Sequence, residues 1–489
     1  MLSPVLVWAA VAVFALIGCG VAFAATQGNT GRADDYYLGG RSIGGAIAGL
    51  SYAATTYSAF MLVVLTGLTY RGGIGALGFE LIYFSGLSLI VVFGPRFWLA
   101  SQEWGFVTPS EMLGRRYGSK AVARVAAVIS MLFLMPYCTT QMAGIGLLLS
   151  EVTGGAITLE LAVATGAVLA IFWTLLAGLR SVAWTDAGQA AVMLVAALLA
   201  VGFVIAAIGG PGAFVDRVQA ERPEWLGVPG PGLWALPTFL ALSLPWFFFP
   251  LSNPQVSQRL FILRDLAAMR GMIFWVLGFG LIFTLISVVW GFAALILTPG
   301  LENTSAATPA LLASGAVPVS VALLLIVGIL SAAISTLDSI ALTLGSMTAR
   351  DLPTARLSEA RQIFVGRIVV VLVIAFAALF AVRQAAIVDQ LAALSAAGLV
   401  VSVPAIVGAF FWDRATAAGA LASLLGGAAL AIWMALGAGV SVFDPVLAGS
   451  VIAASVGLYV GVSLLTRPRA EALDFRATLA PKLRAHGVW

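Results

Sequence analysis

Runs of about twenty mainly apolar residues, the length that crosses a bilayer as a helix, recur along the whole chain. They fall near 4–24, 43–69, 74–100, 121–150, 156–177, 184–208, 232–252, 271–297, 318–348, 364–383, 386–411, 415–437 and 443–465. Thirteen membrane-spanning helices are therefore expected. Composition agrees, because 61% of the residues are hydrophobic and 9% charged, against roughly 25% charged in soluble domains. A water-soluble fold is excluded. The single His, His486, and the two cysteines, Cys19 and Cys138 in separate apolar segments, leave no multi-His metal centre, disulfide framework or zinc site. The net charge of +4 is spread between apolar segments and makes no basic face for nucleic acid.

Small residues Ala22, Ala24 and Ala25 close the first run, as they would in a signal peptide. Its long apolar stretch and the lack of a preceding basic region point instead to a retained helix. Charge bias then gives the orientation. With the N-terminus outside and the C-terminus cytoplasmic, most of the 25 Lys and Arg residues fall inside, leaving Arg71, Arg217, Arg222 and Arg383 outside. The expected location is the cell (inner) membrane, and the tail after Arg467 is expected to lie at the interface.

Function in such a chain is sought where the rules for a quiet apolar helix fail. Gly49 to Phe60 puts small and hydroxylated residues in the middle of the second span. This is either close helix packing or a broken helix whose freed carbonyls hold a cation. Leu244 to Pro254 carries three prolines, and proline removes a backbone donor and clashes with the preceding turn, so unwinding is expected there. Ser335, Thr336, Asp338 and Ser339 place oxygen mid-way along the ninth span. Hard cations want oxygen ligands, although hydroxyls also bond back to their own helix. Asp186 stands at the start of the sixth span, as a cap or a site residue. Glu80 in the third span either faces a solute or pairs with Arg71. No Arg or Lys is expected deep inside a span.

At these residues the chain resembles the sodium:solute symporter family of sodium-coupled sugar, proline, pantothenate and monocarboxylate carriers. The matching pieces are Asp35–Gly45, Val107–Tyr117, Gly178–Gln189, Asn253–Arg259 and Ala332–Asp351. The resemblance implies an all-α fold of the leucine-transporter type, two inverted five-helix repeats at 31–209 and 210–413. An extra helix would occupy 1–30, two further helices 414–466, and a basic cytoplasmic tail 467–489. It also implies a sodium site on the carbonyls of Ala54, Tyr57 and Ala332 and the hydroxyls of Ser335 and Thr336. A second cation site would fall on Asp186, Ser335, Asp338 and Ser339, with Asp338 standing where other members have a hydroxyl. Thr56, Glu80, Trp246 and Phe249 would face the solute, Phe249 as an aromatic gate. Met61 and Trp246 replace polar residues of the sugar carriers, which argues against a sugar.

The resulting expectation is a sodium-coupled symporter importing a small organic solute by alternating access. An amino acid such as proline or a short monocarboxylate is the leading solute, and pantothenate the alternative. Na+ is the coupling ion, no enzymatic cofactor is implied, and the partners are solute, Na+ and the lipid bilayer, without nucleic acid. No catalytic constellation suggests an enzyme. A channel is expected to show a filter loop and a membrane sensor an appended signalling module, and the sequence suggests neither.

Overall fold

The computed structural model describes residues 1–26, 32–231, 234–355, 357–384 and 387–488. Among them the regular structure is helical, with no strand beyond one isolated bridge between Ile43 and Leu263. In chain order the helices are α1 Pro4–Thr26, α2 Ala33–Leu38, α3 Gly45–Thr56, α4 Thr66–Gly72, α5 Gly75–Gly86, α6 Leu89–Trp104, α7 Pro109–Arg116, α8 Lys120–Val152, α9 Leu159–Ile208, α10 Pro211–Glu221 and α11 Leu236–Phe247. They continue with α12 Phe249–Ser252, α13 Pro254–Ser257, α14 Leu266–Leu297, α15 Ala307–Ala313, α16 Val319–Asp351, α17 Glu359–Gln384, α18 Val388–Leu399, α19 Val403–Phe411, α20 Ala417–Ile432, α21 Pro445–Leu465 and α22 Ala470–Ala485.

Among the described residues eleven helices are long and apolar enough to cross a membrane, or twelve if the bent pair Gly45–Thr56 with Phe60–Gly72 is one span. The count of thirteen is not confirmed. The expected seventh span, 232–252, yields the 12-residue α11, because the helix breaks at Phe248, after Pro245, and restarts as the four-residue α12, followed beyond the expected span by α13. The expected boundary between the extra helix and the first repeat, at 30/31, lies outside the described residues.

Helix α9 is two spans joined end to end. At Gly178 the backbone turns to φ 65°, ψ −161°, and a Cβ there would stand 2.4 Å from the Tyr36 carbonyl oxygen. Only glycine takes that conformation at that distance. Asp186 therefore lies two turns inside Gly178–Ile208, so the helix-cap reading falls. The small residues of α3 do serve packing on one face. A Cβ on Gly45 would meet the Ala268 carbonyl oxygen of α14 at 2.5 Å, and one on Gly49 would meet the Trp275 side chain at 2.6 Å. The other face of α3 presents Ser51 and Thr55 to the interior, where both are fully buried.

Helix α16 forms the axis of the bundle. Its most apolar stretch is 67% buried, against 28% for α1 and α17 at the periphery. At one end of the bundle α7 is held by its own capping box: Thr108 Oγ1 accepts from the Glu111 amide and the Glu111 carboxylate accepts from the Val107 amide. Asp351, at the end of α16, accepts from Thr108 and Ser110 at 2.8 and 2.7 Å. Arg116 donates to carbonyls of Ala409 and Trp412 around α19. The tail after Arg467 is folded onto the bundle. It forms α22, which buries Ala472, Phe475, Leu479 and Leu483 against α6 and α7. Phe475 stacks on Trp104 at 4.6 Å, and Asp474, Arg476 and Lys482 pair with Arg115, Asp413 and Glu103.

Candidate ion and solute site

Two helices break inside the bundle, and the functional residues gather at the breaks. Helix α3 ends at Tyr57 (φ −91°, ψ 70°). Ser58 then accepts the Phe60 amide on its hydroxyl at 3.2 Å and restarts the helix. Carbonyls at a helix end have no partner in the next turn, and within a membrane they need one elsewhere. Helix α16 supplies it. Ser335 Oγ lies 3.1 Å from the Ala54 carbonyl oxygen and 3.1 Å from that of Ala332. Thr336 Oγ1 lies 3.3 Å from the Thr55 oxygen and 3.0 Å from Ala332.

Each hydroxyl carries one hydrogen for two acceptors. Both readings of these hydroxyls are therefore realised, back-bonding within α16 and contact with the broken helix. Ala54, Ala332, Ser335 and Thr336 form one cluster of oxygens, and Tyr57 stands at the break itself. Such a set suits a hard cation, because direct coordination would satisfy lone pairs that now compete for too few protons.

The residues expected for a second cation site are not joined in that way. Asp186 is fully buried and pairs with Arg259, which is 1% exposed, at 2.8 Å. Ser51 also donates to Asp186, at 2.8 Å. Ser339 accepts from Arg259 at 2.5 Å and donates to the Ser335 carbonyl at 2.6 Å. Asp338 turns to Thr174, 2.6 Å away. Arg259 lies between α13 and α14 rather than within a span, yet the breaks around α12 and α13 carry it into the interior. What neutralises Asp186 is this guanidinium.

Glu80 is fully buried, and neither carboxylate oxygen has a hydrogen-bond partner. Pairing with Arg71 is ruled out, since Arg71 reaches Asp389 at 3.4 Å instead. One turn from Glu80, Tyr83 donates to the Thr56 carbonyl at 3.3 Å. Trp246 and Phe249 stack face to face at 5.4 Å. Tyr83 and Tyr137 meet both rings edge-on, and Phe60 and Phe79 meet Trp246. The expected solute residues Thr56, Glu80, Trp246 and Phe249 are thus brought together.

Three further buried polar groups without partners lie on the elements that carry this aromatic set: the Thr56 hydroxyl, the Gln141 amide and the Ser243 hydroxyl. Gln141 lies one helical turn from Tyr137 and Ser243 one turn from Trp246. Sequence reasoning missed Gln141, although Thr139-Thr140-Gln141 in mid-span breaks the same rule that singled out Glu80.

The profile of the sodium:solute symporter family matches residues 36–427. The sodium/proline symporter of Salmonella typhimurium is 28% identical over 459 residues, covering 88% of this chain and 87% of that protein. The sodium/pantothenate symporter of Haemophilus influenzae is 25% identical over 402 residues, covering 80% and 82%. Among solved structures, a Na+-coupled sialic acid symporter in a substrate-bound outward-open state superposes with a TM-score of 0.75 at 19% identity, covering 95% of this chain and 98% of that one.

Proposed function

This chain belongs to the sodium:solute symporter family, and from that premise we propose that it imports a small zwitterionic amino acid of about proline's size. It is a multi-pass membrane transporter that couples a small solute to sodium, and neither its family nor its relatives are enzymes. The carrying observation is Glu80, a buried carboxylate with no protein partner. An ion in that setting is costly unless something pairs with it. A protonated amine on the solute would do so, with the aromatic faces of Trp246 and Tyr83 favouring the same charge.

The Gln141 amide and the end of broken α3 would take the solute's carboxylate, and Trp246 and Phe249 its apolar body. A monocarboxylate or pantothenate brings no cation to Glu80, which counts against both. Sodium would sit on the Ala54, Tyr57, Ala332, Ser335 and Thr336 oxygens, beside Thr56. We further assign the two inverted repeats to 31–209 and 210–413, and place the α7 end and α22 on the cytoplasmic side of the cell membrane.

A thermal-shift screen of proline, other small amino acids, acetate, lactate and pantothenate tests the reading. Amine-bearing solutes should stabilise the protein in sodium and not in choline. Stabilisation by a monocarboxylate or pantothenate, with no response to any amino acid, would overturn it.

A further inference from the structure

A cleft of about 870 Å³ opens between the peripheral helix α1 and the bundle, walled by α3, α9 and α16. Its size falls among small-molecule pockets, roughly 300–1,000 Å³. Most of the lining is apolar, with Val13 and Ile17 of α1 facing Ile47, Leu324 and Val327. Val13 and Ile17 are 57% and 62% exposed, so the cleft opens toward lipid. Within it stand two polar groups with no protein partner. One is Oε1 of Gln189 on α9, a residue 7% exposed, and the other is the hydroxyl of the fully buried Ser331 on α16. Thr185 also lines the cleft, but it bonds back to the Ser181 and Val182 carbonyls.

The two orphaned groups share one level of the bundle. A Cβ on Gly328 would stand 3.4 Å from the Met193 Cα, so α9 and α16 touch there. Gln189 and Ser331 each lie one turn from that contact. At about 1.5 Å per residue, Gln189 is roughly 16 Å from the start of Gly178–Ile208, and Ser331 roughly 18 Å from the start of the antiparallel α16. Both therefore sit near the middle of a hydrocarbon layer about 30 Å thick, where bulk water offers no alternative partner.

Depth and chemistry together select the occupant. A phosphate or ammonium headgroup is too costly to bring to mid-bilayer, and an acyl chain alone leaves both groups unmet. A single hydroxyl meets both, because it donates to Gln189 Oε1 while accepting from Ser331. We propose that the cleft between α1, α3, α9 and α16 is a binding site for a membrane-soluble alcohol, a hydrocarbon body carrying one hydroxyl, which enters from the bilayer and bonds Gln189 and Ser331.

Photo-labelling of the purified full chain in dimyristoyl phosphatidylcholine nanodiscs, with hexadecanol carrying a mid-chain diazirine, tests the site. Label should saturate at one per chain, map by mass spectrometry to α1 or to Trp184–Val192, and be displaced by hexadecanol but not by hexadecane. Gln189→Leu removes the acceptor and should raise the hexadecanol needed for half-displacement roughly tenfold. Ala10→Trp, on the α1 wall of the cleft, should abolish saturable labelling, and it decides the matter should Gln189→Leu not fold. Equal displacement by hexadecane would overturn the proposal, since any acyl chain would then suffice. An unchanged half-displacement in folded Gln189→Leu would overturn it too, because water would then be serving the two groups. So would label that never saturates, as when a second copy of the chain closes the cleft, or saturable label retained in folded Ala10→Trp.

Discussion

Removing either partner of the Arg259–Asp186 pair should destabilise the protein strongly, and removing both should cost far less than the sum. Both side chains are almost wholly buried, at 1% and 0% exposure. A single substitution therefore leaves an uncompensated charge in the interior, which typically costs about 3–5 kcal/mol. Asp186→Asn keeps a group that the Ser51 hydroxyl can still bond, and Arg259→Met keeps the length of the stem while removing the charge. Of the four hydrogen bonds Arg259 donates, those to Ser51 and Ser339 go to hydroxyls with other partners, while those to Asp186 and the Gln255 carbonyl are lost. The double variant should then lose roughly two net hydrogen bonds, about 2–3 kcal/mol. Tryptophan-fluorescence melting in nanodiscs reads the cycle. Each single variant should melt on the order of 5 °C lower, and the double variant no lower than either single one. Additive losses would refute the argument, because they would mean the two charges do not compensate each other.

Three further outcomes are expected. Ser335→Ala or Thr336→Ala removes one side-chain ligand of the proposed sodium site, worth about 1.5–3 kcal/mol toward a charge, so half-saturating sodium for uptake should rise roughly tenfold or more, with little change in the solute constant at saturating sodium; unchanged sodium dependence in both refutes the site. Glu80→Gln should abolish the preference for amine-bearing solutes at normal expression, whereas Arg71→Gln, which breaks the partly exposed pair with Asp389 and the contact with the Phe443 ring, should transport normally; equal selectivity defects would remove Glu80 from the solute site. Phe475→Ala takes away the stack on Trp104 and should cost about 3–5 kcal/mol of core packing, read as a lower melting temperature, while the solute constant stays put; a changed solute constant would show that α22 reaches the site.

Most of the architecture was legible because lipid imposes one rule, a run of about twenty apolar residues per span. The runs at 121–150 and 271–297 became α8 and α14 within a few residues. The rule fails where a span is interrupted. The run at 232–252 reads as one helix by hydropathy, but it breaks at Phe248, one turn after Pro245, and continues as the short α12, with Pro254 opening α13 just beyond it. The same interruption hid Arg259. A cationic residue beyond an apolar run looks like a solvated loop, and only the tertiary path shows that the chain folds inward to Asp186. Glu80, Trp246 and Phe249 were visible as violations of lipid chemistry. That Tyr83 and Tyr137 frame them was not, because aromatic residues in a span are unremarkable until their edges are seen against Trp246.

The docking of α22 also bears on how the protein is made. Arg469 donates to the Gly118 carbonyl across 351 residues of chain, and Trp104 and Glu103 wait as long for Phe475 and Lys482. At about 5–20 residues per second of synthesis, the groove beside α6 and α7 stays uncovered for tens of seconds after it reaches the bilayer. During that interval Trp104 on its floor is a target for chaperones and proteases. Covering it must wait until α22 has been made, so chains stopped before α22 would be recognised and degraded. A fluorescent protein fused directly after Leu465 would mimic such a stop, whereas one placed beyond α22 would report only completed molecules.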